Sequence, residues 1–144
     1  MQCRIDVRVC GTPPVKASGG AAGWDLFSAD TYVLEQNKVV LVATGSHLII
    51  PYGYEGQIRP RSSLGKLGIL IPNAPGTIDS DYRGEIKVMM LNTWHEPYTI
   101  EKGSRIAQIV FGPVTPVHMF SISKSKFDED VTSRGSGGFG STGI

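Results

Sequence analysis

The chain has 144 residues, which is enough for one domain with a sizeable core and too few for two. Hydrophobic residues make up 40% and charged residues 19%, a composition typical of a globular protein. With 14 basic and 13 acidic residues the formal net charge is +1, so neither nucleic acid nor an anionic membrane is expected as a partner.

The N-terminal residues carry charges at Arg4 and Asp6, where a signal peptide would need its apolar stretch. No apolar run approaches the ~20 residues that span a bilayer. The two cysteines, Cys3 and Cys10, lie too far apart to pair if both belong to one extended strand. We therefore expect an intracellular, cytoplasmic protein with two free thiols.

Short apolar runs separated by 18 Gly and 9 Pro predict many β-strands. The first is predicted at 3–9, where apolar and polar residues alternate with the period of a half-buried strand. The runs 39–42 and 109–111 are continuously apolar, which indicates strands buried on both faces. The further predicted strands are 32–34, 38–42, 47–50, 55–59, 69–71, 85–92, 98–100, 105–111 and 116–122.

Helical periodicity is not sustained over ~10–12 residues in any window, and 63–67 could form one turn at most. Many short strands at regular spacing are typical of an antiparallel sandwich or barrel. The predicted fold class is therefore all-β, in a single domain.

The C-terminal segment differs in composition from the rest of the chain. Residues 121–130 are polar and charged, and 134–144 are rich in glycine, which favours a disordered tail because glycine loses much entropy on ordering. Arg134 and Phe139 favour the alternative of a closing arm, since a solvated linker needs neither a cation nor an aromatic ring. The segment is not a Walker phosphate loop, so phosphate binding there would use Arg134, hydroxyl groups and backbone N–H groups.

Two segments in the first half of the chain carry polar side chains suited to a ligand. Residues 21–28 place Asp25 in a bend of small residues ahead of the first strands, where it could be a plain turn residue. Residues 60–66 offer Arg61 and two hydroxyl groups in a row, which suits an anion but also fits an ordinary exposed loop.

Two later segments are more informative. In 73–86, Asp79 and Asp81 would share one face if 77–82 is an extended arm, although a hairpin turn with exposed acids remains an alternative. In 103–108, Gln108 lies among apolar neighbours, so it needs partners and either has a structural role or points at a site water. No spacing of His, Cys, Asp and Glu resembles a zinc site, and no hydrolase nucleophile elbow is present.

Together, in this order and spacing, these segments resemble the five motifs of the trimeric dUTPase family, over almost the whole chain from about Ala22 to Gly143. The motifs are AGWDLFS (22–28), PRSSLG (60–65), NAPGTIDSDYRGEI (73–86), GSRIAQ (103–108) and RGSGGFGSTG (134–143). Two positions depart from the usual pattern: Trp24 stands where a smaller residue is frequent, and Ser63 replaces a common glycine.

The resemblance implies a distorted β-barrel or jelly-roll domain over 1–130 and a flexible, Gly-rich closing arm over 131–144 that swaps over a neighbouring subunit's site. It implies a homotrimer with sites at subunit interfaces, one subunit giving the 73–82 hairpin, a second the Arg61 and Gln108 segments, and a third its arm. The implied activity is hydrolysis of dUTP to dUMP and pyrophosphate, which keeps uracil out of DNA and supplies dUMP for thymidylate synthesis.

The family pattern implies that Asp79 is the general base and that Mg²⁺, the expected cofactor, is held by phosphate oxygens and reaches Asp25 only through water. It implies that Asn73 reads the uracil edge, that Tyr82 packs under the deoxyribose and that Phe139 stacks over the uracil. The implied substrate-binding residues are Arg61, Ser62, Ser63, Asn73, Gly76, Thr77, Ile78, Asp79, Tyr82, Lys87, Gln108, Arg134, Gly138, Phe139, Gly140 and Ser141.

Two other functions fit parts of the sequence. A dCTP deaminase shares this fold family, but it would need a glutamate near Asp79 for proton transfer at cytosine C4. A nucleotide-sensing module that binds a protein partner would bind dUTP with negligible turnover, against which the intact Asp79 and the complete arm argue.

Overall fold

The computed structural model describes residues 4–143 and shows, within them, ten strands and two short helices. The strands are β1 Arg8–Gly11, β2 Trp24–Phe27, β3 Tyr32–Leu34, β4 Val39–Ile49, β5 Tyr54–Arg59, β6 Ile69–Leu70, β7 Gly76–Ile78, β8 Glu85–Asn92, β9 Tyr98–Ile100 and β10 Arg105–Pro113. The helices are α1 Ser62–Gly65 and α2 Lys124–Glu129. The predicted all-β jelly-roll class is confirmed.

Three antiparallel sheets build the domain. One four-stranded sheet has the order β1-β4-β8-β6, a second has the order β2-β10-β5-β7, and β3 pairs with β9. In each sheet the neighbouring strands are not consecutive in the chain, so strands that are distant in sequence lie side by side. Because β5 is antiparallel to both β7 and β10, the segments after β5, before β7 and before β10 meet at one end of the second sheet.

The core lies between the sheets and is made by alternate residues of each strand. In β8 the inward residues are Ile86, Val88, Met90 and Asn92, while Lys87 and Met89 point out, as the period of two requires. Burying each large aliphatic side chain contributes about 1.5–3 kcal/mol. The buried apolar residues are Leu26, Leu34, Val42, Leu48, Ile50, Ile58, Leu64, Ile69, Ile71, Ile86, Val88, Met90, Ile100, Ile106, Ala107 and Ile109.

Buried polar groups inside the core are paired. Asn92 donates to the carbonyl oxygens of Leu34 (2.9 Å) and Glu96 (2.7 Å) and accepts from the amide of Trp94 (2.8 Å). Among the described residues, no buried side-chain nitrogen or oxygen lacks a hydrogen-bond partner. Asn92 thereby fastens the end of β8 to the end of β3.

Most predicted strands are present with nearly the predicted bounds. The strands predicted at 32–34, 85–92 and 98–100 coincide with β3, β8 and β9. The two predicted at 38–42 and 47–50 form one long strand, β4, with a register shift between Ala43 and His47. Helix α1 occupies the single turn that was predicted near 63–67.

Three expectations were wrong. Residues 116–122 form no strand, because no strand of the described chain lies beside them to supply hydrogen bonds. The run 39–42 is not buried on both faces, since Val39 and Leu41 are 56% and 55% exposed. Asp25 lies in strand β2 rather than in a bend. Of the two alternatives left open for 77–82, the structure shows the turn with exposed acids and not the extended arm, because the chain turns at 80–81 and the amide of Tyr82 donates to the carbonyl of Asp79 (3.2 Å).

Helix α2 was not predicted. Its N-cap is Ser123, whose hydroxyl accepts from the amide of Lys126 (3.3 Å). The N-terminal strand begins only at Arg8, and Cys3 lies outside the described residues; Cys10 is free and exposed. No helix of residues 4–143 is long and apolar enough to cross a membrane.

Candidate functional site

The structure places the predicted site residues in three groups. We call them the arginine group (Asp25, Arg61, Arg105 and Gln108), the hairpin group (73–82) and the arm group (134–141). The first two lie on the second sheet and its connections, and the third follows helix α2.

The arginine group forms because three strands align their side chains in one row. Asp25 of β2 lies opposite Gln108 of β10, and Gln108 lies opposite Arg59 of β5. Residues directly opposite in antiparallel strands point to the same face of the sheet, so the three side chains share one face. The chain then leaves β5 at Pro60, which places Arg61 beside this row.

Two arginines flank the Asp25 carboxylate. The Nε of Arg61 lies 3.6 Å from Oδ1 of Asp25, and the Nε of Arg105 lies 3.6 Å from Oδ2. Arg61 also donates to the carbonyl oxygen of Arg105 (3.2 Å). Because the Asp25 side chain is only 14% exposed, this carboxylate fixes both guanidinium groups at one edge of the sheet.

Gln108 and the start of α1 complete the arginine group. The Nε2 of Gln108 donates to the carbonyl oxygen of Pro60 (3.1 Å), which leaves its Oε1 as an acceptor. Gly23 is buried against this amide, and a Cβ there would lie 3.1 Å from both Cβ and Cδ of Gln108. Ser62 and Ser63 are exposed at the start of α1, and within residues 4–143 their amides have no recorded acceptor. Two amides, two hydroxyls and two guanidiniums thus lie close together, a set suited to an anion.

The hairpin group follows β6 and includes β7, which pairs with β5. Gly76 is buried opposite Ile58, and a Cβ at Gly76 would lie 3.3 Å from the Nδ2 of Asn73. The absent side chain therefore leaves room for the Asn73 amide beside the backbone of β7. Thr77 and Asn73 are exposed and Ile78 is half-buried.

Asp79 follows β7 directly and is exposed. The turn after it is held by Arg83, whose Nη1 donates to the carbonyl oxygens of Ser80 (2.7 Å) and Tyr82 (2.9 Å). Asp79 also lines a cavity of about 450 Å³ together with Glu55 and Val114. A carboxylate at the rim of a cavity can accept a proton from a water held there.

Asp79 and Gln108 do not meet within one chain, although Ala74 and Pro75 of the hairpin group line a cavity with Gln108. The last pairing of β7 with β5 is Ile78 opposite Gly56, so Asp79 lies level with Glu55. Arg59, which is level with Gln108, is four residues farther along β5, or about 13 Å away at ~3.3 Å per residue. A base cannot act on a water held by Gln108 over that distance.

The arm group makes local contacts. Arg134 donates to the carbonyl oxygen of Gly137 (2.9 Å), and the amide of Ser141 donates to that of Gly138 (3.0 Å). Phe139 is fully exposed with φ +51°, next to Gly140 with φ +87°. All recorded hydrogen bonds of residues 124–143 are to residues at most four positions away. In this conformation the arm presents Arg134 and Phe139 without placing them in either other group.

One predicted residue joins none of the groups, and several neighbours were missed. Lys87 is exposed on β8, and its side chain makes no hydrogen bond or ion pair with the described part of the chain. Arg105, the first residue of the strand predicted at 105–111, was not assigned to the site. Gln57 and Arg59 line a cavity of about 430 Å³ with Gln108, which the alternation of β5 could have indicated.

The dUTPase family matches residues 11–143 of the chain. The chain is 48% identical over 134 residues to the deoxyuridine 5′-triphosphate nucleotidohydrolase of Ehrlichia canis, covering 91% of this chain and 86% of the relative. It is also 48% identical over 136 residues to the enzyme of the same name from Rhizobium rhizogenes, covering 91% and 85%.

Solved structures resemble the fold. The dUTPase of Staphylococcus bacteriophage 80alpha with dUpNHpp superposes with a TM-score of 0.85 at 28% identity, covering 96% of this chain and 99% of that chain. A dUTPase mutant from phage phi11 of S. aureus, described with a structural Mg(II) ion, superposes with a TM-score of 0.77, covering 85% and 100%; its 23% identity supports the shared fold alone.

Proposed function

The chain belongs to the dUTPase family, and we propose that it hydrolyses dUTP to dUMP and pyrophosphate by attack of water on the α-phosphorus. The observation that carries this proposal is the family match over residues 11–143, which includes every residue of the arginine, hairpin and arm groups. The substrate is a nucleotide with a long anionic tail. The exposed amide of Asn73 and the two arginines beside Asp25 suit the two ends of such a molecule.

Asp79 is the proposed general base. It takes a proton from a water whose oxygen forms the new bond to the α-phosphorus, while the bond from that phosphorus to the bridging oxygen breaks and pyrophosphate leaves. Asp79 suits this role because it is exposed at a cavity and because Arg83 pins the turn that follows it. The water must lie within hydrogen-bond reach of the carboxylate.

The arginine group is the proposed phosphate subsite. dUTP brings about four negative charges, so neutralising them dominates the energetics of transfer. Arg61 and the amides of Ser62 and Ser63 contact phosphate oxygens, and Gln108 orients phosphate or the attacking water through its unused Oε1. Asp25 keeps the arginines in place before the substrate arrives, so the site needs little reorganisation.

The residues of this site would hold Mg²⁺ only through its bound waters and the substrate phosphates. Within residues 4–143 no three His, Cys, Asp or Glu side chains are grouped to hold a metal ion, and the arginine group offers one carboxylate, Asp25. Mg²⁺ commonly keeps several waters and binds substrate phosphates with one or two carboxylates. When bound on the phosphates it would neutralise charge there, and Asp25 would accept hydrogen bonds from its waters.

The hairpin group is the proposed nucleoside subsite. The Asn73 amide and the backbone of 76–78 pair with the uracil edge, and the close backbone leaves no space for the 5-methyl group of thymine. Cytosine reverses the donor and acceptor at position four, which leaves buried groups unpaired and costs more than one misplaced methyl. Tyr82 packs under the deoxyribose, and Lys87 lies two residues beyond the start of β8 as a further substrate contact.

The arm group is the proposed lid. Arg134 binds the γ-phosphate, because its planar guanidinium can contact two oxygens at once. Phe139 stacks on the uracil, and Gly138, Gly140 and Ser141 bring backbone and hydroxyl groups close to the phosphates. The positive φ of Gly140 and the full exposure of Phe139 support an arm that orders on substrate.

A homotrimer completes the site. The distance of about 13 Å along β5 between the levels of Asp79 and Gln108 supports this proposal, because one chain cannot place both residues on the same attacking water. We propose that Asp79 of one subunit works with Arg61 and Gln108 of a second and with the arm of a third.

Exposed apolar surface supports this assembly. Val39, Leu41, Leu70 and Met89 lie on one outer face of the first sheet, because Leu41 is opposite Met89 and Leu70 is opposite Leu91. The segment 114–122 likewise exposes Val117, Met119 and Phe120. Contiguous apolar surface of this kind marks a protein interface.

The test of activity is pyrophosphate release from dUTP, dCTP, dTTP and UTP with Mg²⁺, beside an Asp79→Asn variant and an Asp81→Asn control. Fast release from dUTP alone, lost in Asp79→Asn and kept in Asp81→Asn, is expected. No release from dUTP, or full activity of Asp79→Asn, would refute the proposed reaction or its base.

The test of the shared site is complementation. Asp79→Asn and Arg61→Ala are each expected to be inactive as pure assemblies. When the two are unfolded together and refolded as mixed trimers, some sites combine an intact Asp79 with an intact Arg61, so activity returns. Mixed trimers without activity would show that each site belongs to one chain.

A further inference from the structure

The Tyr82 ring is folded back over its own chain. A Cβ at Gly84 would lie 2.5 Å from Cζ and 3.0 Å from Cε2 of Tyr82, distances that real Cβ atoms do not tolerate well. The ring can occupy this place only because residue 84 has no side chain. The Tyr82 hydroxyl then donates to the backbone carbonyl oxygen of Glu85 (3.0 Å), at the first residue of β8.

The Glu85 side chain holds that end of β8 against strand β4. Its Oε1 accepts a hydrogen bond from the amide of Gly45 (2.9 Å), which lies in the irregular stretch of β4 between Ala43 and His47. The φ of Gly45 is +68°, so its amide points out of the regular ladder. Glu85 therefore satisfies a donor that the register shift would otherwise leave without a strand partner.

A second side chain reinforces the same junction. Thr44 is 1% exposed, and its hydroxyl donates to the carbonyl oxygen of Ile86 (2.6 Å) and accepts from the amide of Ser46 (3.2 Å). The first two residues of β8 are thus tied to β4 by one carboxylate and one buried hydroxyl. The residue whose carbonyl accepts from the Tyr82 hydroxyl is therefore held in place by contacts with β4.

We propose that Gly84 and Glu85 are positioning residues that hold the Tyr82 ring rigid and thereby set the preference for 2′-deoxyribose over ribose. The inference rests on the proposed dUTPase activity and on the placement of Tyr82 under the sugar. The Tyr82 ring excludes the 2′-hydroxyl of ribose only if the ring is held in place. A mobile ring would shift to admit the hydroxyl at little energetic cost. The hydrogen bond to Glu85 and the contact with Gly84 remove that freedom.

The test compares kcat/KM for dUTP with kcat/KM for UTP in Glu85→Ala and Glu85→Gln. Glu85→Ala leaves the Gly45 amide unpaired and frees the end of β8, so the dUTP-to-UTP ratio is expected to fall about threefold to tenfold, the worth of one hydrogen bond. Glu85→Gln keeps an acceptor oxygen for Gly45 and is expected to keep the ratio within about twofold. An unchanged ratio in Glu85→Ala would overturn the inference.

A double variant separates positioning from general weakening of the fold. In a Tyr82→Ala background, Glu85→Ala is expected to change the ratio no further, because the residue through which it acts is gone. If the fold-changes that the two substitutions cause in the dUTP-to-UTP ratio multiply, Glu85 acts independently of Tyr82 and the inference is wrong. Gly84→Ala is expected to lower the ratio in the wild-type background and to be silent in Tyr82→Ala.

A matched pair of threonine variants controls for stability. Thr44 and Thr93 each donate a hydroxyl hydrogen bond to a backbone carbonyl, near opposite ends of β8. Thr44→Val is expected to lower the ratio, while Thr93→Val leaves it unchanged whatever either does to the melting temperature. Equal effects of the two on the ratio would refute positioning. A wild-type protein that does not hydrolyse dUTP would instead defeat the proposed function itself.

Discussion

Gly23 lies where one added methyl group would disturb Gln108 without touching the core. In Gly23→Ala the new Cβ would lie 3.1 Å from Cβ and Cδ of Gln108 and closer still to Oε1. The amide can rotate away, and the contact with Cβ of Gln108 is relieved by a shift of a few tenths of an ångström, so the fold survives; the amide then leaves the carbonyl of Pro60 that now holds it. The Oε1 is no longer presented to phosphate or water.

The size of the effect follows from the contact that is lost. A hydrogen bond to a charged group contributes about 1.5–3 kcal/mol. At ~1.36 kcal/mol per tenfold, its loss lowers kcat/KM for dUTP about 10- to 150-fold. The free energy of unfolding should fall by no more than about 0.5–1.5 kcal/mol, the worth of the bond to Pro60.

The assay is steady-state pyrophosphate release, with urea unfolding as the stability measurement. Gly112→Ala is the control, because Gly112 lies on the same strand as Gln108 and a Cβ there meets nothing within 4 Å. The losses in kcat/KM caused by Gly23→Ala and Gln108→Ala should not multiply when the two are combined, since both substitutions remove the same contact. Wild-type kcat/KM in Gly23→Ala would refute the placement of Gln108 in the phosphate subsite.

Three further substitutions test the lid and the core. Phe139→Ala is expected to weaken nucleotide stacking by about 1–3 kcal/mol, seen as a higher KM for dUTP; unchanged kinetics would remove the lid from the mechanism. Asn92→Ala breaks three hydrogen bonds inside the core and should lower the free energy of unfolding by about 3 kcal/mol or more in urea, and a loss below 1 kcal/mol would contradict this. Gly56→Ala would place a Cβ 2.8 Å from Cδ1 of Ile109, so overpacking should cost about 1–3 kcal/mol in the same assay. An unshifted urea midpoint would mean that the core yields at this point.

The strands that were predicted well are those whose environment is supplied by the chain itself. In β8 every second residue is buried in the core, so the apolar pattern of 85–92 predicts both the strand and which of its residues face the core. The prediction failed where the apolar residues have no partner in the same chain. Val39 and Leu41 looked buried on both faces, and 116–122 looked like a strand, because sequence pattern does not say which molecule covers a residue.

The sequence identified residues of the candidate site but did not predict how they are arranged in space. Motif resemblance identified Asp25, Arg61 and Gln108, yet the row that joins Asp25 to Gln108 depends on the register of β2 with β10, which no local pattern specifies. Strand β2 has four residues, too few for its alternation to be distinguished from a bend. Arg105 was missed as a partner of Asp25 for the same reason, since the contact crosses about 80 positions of sequence.

Because the hydrogen bonds of the arm are local, the arm is free to dock elsewhere, and its effective concentration at a site matters. In the proposed lid role the arm group meets a site at an effective concentration set by tether length and not by the amount of protein, because it is covalently attached through helix α2. For a short tether this is in the millimolar range, so a modest intrinsic affinity suffices to close the site. A chain ending at residue 130 should therefore need the free 131–144 peptide at about millimolar concentration to regain its turnover, while the intact chain is expected to work equally well at any dilution that preserves the proposed trimer.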